Sequence, residues 1–70
     1  MRNSLKVERA KVEITQEELA ARVNTTRLTI NKIEKGKSVP SVALALRIAK
    51  FFKVSVESIF QLDELENEPK

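Results

Sequence analysis

Seventy residues with no Cys and no His exclude a disulfide framework and a Cys/His zinc site, leaving one small domain that an apolar core must stabilise. A single Gly, two Pro and 41% hydrophobic content favour a compact helical domain over disorder. Net charge is only +3 but unevenly spread: residues 1–62 carry 12 bases and 6 acids, a net of +6, while residues 63–70 hold Asp63, Glu64, Glu66 and Glu68 against Lys70.

The first helix is predicted over Ser4 to Val12, capped by Ser4 or Asn3, with Leu5, Val7 and Arg9 leaning inward or partly inward. Thr15-Gln16-Glu17-Glu18 reads as a capping box, in which Thr15 takes a free amide and Glu18 reaches back. It opens a second helix whose inner face is Leu19, Ala20 and Val23. Asn24 follows where the chain must reverse, and Asn tolerates the left-handed conformation such turns need. Thr26 caps a third helix that ends near Lys35, with Gly36 as its stop.

After a loop, Ser41 caps a fourth helix from Val42 to about Phe52, apolar almost all round apart from Arg47 and Lys50. Such a helix is expected to bury one face in the protomer and part of another against a partner. Ser55 is read as the cap of a short fifth helix over Val56 to Ile59, and Phe60 to Asp63 alternate as a short extended segment. The domain is therefore placed at residues 1–62, and the acidic stretch 63–70 is expected to fray.

Ile30 and Ile33 define the buried direction of the third helix. At the helical period, Leu28 and Lys35 then lie roughly 170° away, and Asn31 and Lys32 about 130° away. The exposed surface presents Arg27, Leu28, Asn31, Lys32 and Lys35, with Thr26 and Thr29 at its edges. Between residues 22 and 37, Arg22, Arg27, Lys32, Lys35 and Lys37 face only Glu34, a local field that attracts polyanions or, more plainly, an ordinary solvated face. Arg27 can donate two bonds to guanine O6 and N7; the competing reading pairs it with Glu34 or water. Leu28 could meet a thymine methyl, although single exposed apolar residues are common. Asn31 and Lys32 could read bases or phosphates. Gln16 suits a phosphate at a helix start, and Lys35, Lys37 and Ser38 would line the backbone flank.

The chain resembles the Cro/CI-type (Xre-like) helix-turn-helix family over roughly residues 4 to 62. The resemblance is carried by Leu5, Arg9, Thr15-Gln16-Glu17-Glu18-Leu19-Ala20, Thr26, the run Thr29 to Gly36, Pro40-Ser41, Leu44 to Ala49 and Val54 to Phe60. It implies an all-α, five-helix, lambda-repressor-like fold in which Gln16, Thr26, Arg27, Leu28, Asn31 and Lys32 face an operator. It also implies a partly buried Arg9–Glu34 ion pair bracing the first helix against the third. The chain departs from the family pattern at Asn24 and Glu13, where Gly is usual, and at Leu28, where a polar residue is common.

Small members of that family often act as homodimers on inverted repeats. Here Val42, Leu46, Val56, Ile59, Phe60 and Leu62 form the expected dimer interface. The expected function is a sequence-specific regulator of double-stranded DNA, most simply a repressor. The alternative is an antitoxin-like or adaptor module whose main partner is another protein. Without His, Cys or a Gly-rich phosphate loop, catalysis is not expected, nor is a cofactor or metal. No apolar run approaches the roughly 18 residues of a membrane span. The charged start is unlike a signal peptide, so a cytoplasmic, nucleoid-associated setting is expected.

Overall fold

Five helices and a pair of two-residue strands run along residues 1–63, the part of the chain that the computed structural model describes. In order they are β1 (Arg2–Asn3), α1 (Leu5–Lys11), α2 (Gln16–Arg22), α3 (Arg27–Glu34), α4 (Val42–Phe52), α5 (Val56–Ile59) and β2 (Phe60–Gln61). The expected fraying concerns residues 64–70, which lie outside the described residues. Asp63, assigned to that tail, is anchored instead: its carboxylate sits 3.0 Å from the Met1 amine and 3.8 Å from Arg2 Nε.

Helix starts follow local hydrogen-bonding chemistry. The Thr15 hydroxyl accepts from the Glu18 N–H at 3.0 Å, and the Glu18 carboxylate accepts from the Thr15 N–H at 2.9 Å. The bond from the Thr15 N–H, with the Thr15 hydroxyl beside it, holds the Glu18 carboxyl below its ordinary value. Thr26 caps α3 and Ser41 caps α4 through their hydroxyls. At α1 the bond comes from Asn3, whose Oδ1 accepts from the Leu5 N–H, while the Ser4 side chain makes no cap bond. Ser55 likewise makes none; its hydroxyl meets that of Ser58 at 2.8 Å.

The first four helices each run into a residue with positive φ: Glu13 at 55°, Asn24 at 58°, Gly36 at 74° and Lys53 at 59°. Only one of these is glycine and Asn24 tolerates the conformation, so Glu13 and Lys53 are the two side chains in a region that costs an L-residue roughly 1–2 kcal/mol. Glu13→Gly is therefore expected to raise stability by about 0.5 kcal/mol, after the extra chain entropy of glycine is set against the relieved strain. Urea unfolding of the two proteins measures it.

The core joins Leu5 of α1, Leu19, Ala20 and Val23 of the second helix and its cap, Ile30 and Ile33 of α3, Leu44 and Ile48 of α4, and Ile59 and Phe60. Small Ala20 lets α3 pack closely on α2. Two polar clasps complete the frame. Arg47 Nε donates to the Val23 carbonyl at 2.8 Å, tying α4 to the end of α2. Asn3 Nδ2 donates to the Ile33 carbonyl at 2.8 Å, tying β1 to α3.

Two expectations are corrected. Val7 is 54% exposed, because it lies roughly 200° around α1 from fully buried Leu5, whereas Arg9 returns to the inner side. Ile59 is 0% exposed and Phe60 is buried, so the protomer's own core takes both from the expected dimer interface. Phe60 and Gln61 extend as expected, as the antiparallel partner of Asn3 and Arg2, whose strand is an addition to the expected elements.

Candidate functional site

α2 and α3 pack directly on each other, and α3 buries only its Ile30 and Ile33 side. Its outer side carries Arg27, Leu28, Lys32 and Lys35, all exposed. Leu28 is 59% exposed, a large apolar side chain held in water opposite the core. Thr26 is exposed and Thr29 half-buried, their hydroxyls 3.0 Å apart at the start of the helix. Lys37 is exposed and Ser38 half-buried just beyond its end. Among the described residues, Arg27, Lys32, Lys35 and Lys37 enter no ion pair, so their charge is directed outward uncompensated. The alternative pairing of Arg27 with Glu34 does not form, because Glu34 is already engaged.

That engagement is the polar centre of the molecule. Arg9 Nε donates to Glu34 Oε2 at 2.8 Å and Arg9 Nη2 to Oε1 at 3.2 Å, a two-bond clasp from α1 to α3. Arg9 Nη1 also donates to the Ile14 carbonyl at 2.9 Å, which fixes the guanidinium plane. Gln16 Nε2 donates to Glu34 Oε1 at 3.0 Å, and Asn31 Nδ2 donates to Gln16 Oε1 at 3.4 Å. The Glu34 side chain is 5% exposed. Burial pushes its carboxyl upward, but the bonds from Arg9 and Gln16 and the nearby charge outweigh that and hold it below the usual carboxylate value. The same pair, chiefly through the Glu34 bond, raises Arg9.

Above this network lies an open cleft of about 310 Å³ lined by Lys6, Arg9, Gln16, Asn31, Glu34 and Lys35. Gln16 and Asn31 are both half-buried in it. Gln16, expected to point at a phosphate, thus spends one amide hydrogen inward and bridges α2 to α3. Lys6 joins this surface through the long-range contact of α1 with α3 at Arg9 and Glu34, which no local pattern encodes. Arg47 interrupts an apolar helix, a signal that suffices to mark it as special but not to name its carbonyl partner.

On another side, Val39, Val42, Leu46 and Val56 edge an apolar groove of about 410 Å³ with Phe60 at its base. Val42 and Leu46 are exposed there, and Leu62 is exposed nearby on the chain. No helix among the described residues is long and apolar enough to cross a membrane.

A helix-turn-helix family model matches residues 5–59. An HTH-type transcriptional regulator of Methanocaldococcus jannaschii is 53% identical over 60 residues, covering 86% of this chain and 91% of its own. One from Archaeoglobus fulgidus is 52% identical over 66 residues, covering 94% and 93%. Among solved structures, the P22 c2 repressor protein, in complex with a synthetic operator, matches with a TM-score of 0.73 at 23% identity, over 76% of this chain and 80% of that one. At that identity the likeness establishes the fold.

Proposed function

The chain belongs to the Cro/CI-type helix-turn-helix family of transcriptional regulators, and from that premise we propose that it is a repressor that binds an inverted-repeat operator as a homodimer. The observation that carries the reading is the outer face of α3, which holds uncompensated cations around an exposed leucine on a rigidly braced helix. In the proposed complex α3 enters the major groove. Arg27 reads guanine, Leu28 meets a thymine methyl, and Asn31 and Lys32 read the adjoining pairs. Gln16, Thr26, Thr29, Lys35, Lys37 and Ser38 grip the sugar–phosphate backbone.

The homodimer forms over the apolar groove, through Val42, Leu46 and Val56 with Leu62 at the margin. It sets two α3 helices about 34 Å apart, one helical turn of DNA. Occupancy then blocks polymerase, with the protein working in the cytoplasm at the nucleoid. A second reading, an adaptor or antitoxin-like module, draws on the same groove, which a different protein could fill. A duplex complex that persists when the groove is blocked by such a partner would favour it.

Two substitutions test the docking face. Arg27→Ala is expected to cost roughly 1–3 kcal/mol and relax the preference at one base pair. Lys35→Ala is expected to weaken binding to all sequences alike and lower the salt slope by about one unit. Titration against a selected duplex at several salt concentrations reads both. Unchanged affinity in both variants would refute this face, and a reporter gene that rises when the protein is supplied would refute repression.

A further inference from the structure

We propose that Glu34 is a positioning residue for base recognition: acting through Gln16, it decides which edge of the Asn31 carboxamide faces outward and so makes the pair beneath Asn31 an adenine-preferring position. The inference rests on α3 reading DNA as proposed above.

The relay follows from donor and acceptor chemistry. Both Glu34 oxygens accept from Arg9, so this carboxylate has only acceptors to offer. The Gln16 carboxamide must therefore turn its Nε2 toward Glu34, which it does at 3.0 Å. That rotation commits Gln16 Oε1 to the other side, where it accepts from Asn31 Nδ2 at 3.4 Å. Asn31 thereby spends one amide hydrogen inward. Its Oδ1 bonds to no protein group, and among the described residues no buried side-chain nitrogen or oxygen lacks a partner, so Oδ1 is open to solvent.

The outward edge consequently offers one acceptor and one remaining N–H. That pair matches adenine, whose N6 amino group donates and whose N7 accepts. The opposite carboxamide orientation would present two N–H donors and match guanine O6 and N7. Arg9, Glu34 and Gln16 thus select between two bases without touching either. The lowered Glu34 carboxyl keeps the relay's origin ionised at neutral pH.

Binding sites are selected from random duplexes with the full chain, and the selected operator is then titrated with adenine replaced by guanine at each position. Wild type is expected to favour adenine over guanine at one position in each half-site by roughly tenfold or more. Asn31→Ala and Gln16→Met are both expected to bring that ratio below about threefold at that same position, while preferences elsewhere in the site persist. Gln16→Met also lowers affinity for every sequence, by loss of its backbone contact, and it leaves the Arg9–Glu34 pair in place. Full retention of the adenine preference in Gln16→Met, or its retention in Asn31→Ala, would overturn the relay alone. A wild-type chain that forms no salt-sensitive duplex complex would overturn the relay together with the docking on which it rests.

Discussion

Leu46→Glu is expected to lower affinity for an inverted-repeat duplex by roughly 10²–10⁴-fold while the protomer stays folded, because joining two half-site binders supplies about that much effective concentration. Leu46 is 56% exposed on α4, so a carboxylate there meets water in the monomer and strains nothing. In a twofold dimer the same substitution acts twice, since each copy brings its carboxylate to the same apolar groove. Burying an unpaired charge there costs several kcal/mol, more than so small an interface can absorb. Sedimentation is expected to show dimer for wild type at tens of micromolar and monomer for the variant. An affinity for the inverted repeat within about threefold of wild type would exclude dimeric binding through this groove.

Removing one side of the Arg9–Glu34 clasp has the largest expected effect on stability. Glu34→Ala leaves the Arg9 guanidinium and the Gln16 amide without their acceptor, and such a loss costs about 3 kcal/mol. For a domain of this size that lowers Tm by roughly 12–24 °C. Arg9→Ala is expected to cost a similar amount, and the double variant less than the sum, because the second change removes a group already orphaned.

The pH dependence follows from the direction of the Glu34 shift. Its folded value lies below its ordinary one, so ionised Glu34 stabilises the fold above the ordinary glutamate value of about 4.3. That contribution is lost as pH falls through this value toward the folded one. Urea unfolding of wild type and Glu34→Gln across pH 7 to 3 is expected to show a gap that is constant near neutrality and closes in acid. A gap that widens in acid would reverse the assigned sign.

Helix starts and stops were legible because they are written within four residues. Thr15 and Glu18, Thr26, Ser41, Asn24 and Gly36 act on their immediate neighbours, and each lies where local chemistry puts it. The outer face of α3 was legible for a related reason, since two isoleucines suffice to orient an eight-residue helix. Val7 was misplaced because a seven-residue helix with only one buried apolar residue gives the periodicity little to act on. Ile59 shows the same limit: α5 has four residues, about one turn, and no pattern there distinguishes a core-facing side from a partner-facing one. The strand at Arg2–Asn3 has only two residues and exists through its pairing with Phe60–Gln61, a contact across the whole domain.

The site divides along the same line. Arg27, Leu28 and Lys32 could be assigned from one helix. The linkage of Glu34 to Asn31 through Gln16 needs α2 and α3 in place, and Arg9 of α1 to complete it. Arg9 and Glu34 were reached by family resemblance, since 25 residues separate them and neither carries a local sign of the other.

Backbone amide shifts of the labelled chain, followed by NMR as duplex DNA carrying its selected site is added, test the docking face most directly. The account predicts that the largest changes fall on Gln16 and on Thr26 through Lys35, with the amides of Ile48 and Ala49 in the α4 core little altered. Changes confined to the groove around Val42 and Leu46, with Arg27 to Lys32 unmoved, would contradict it.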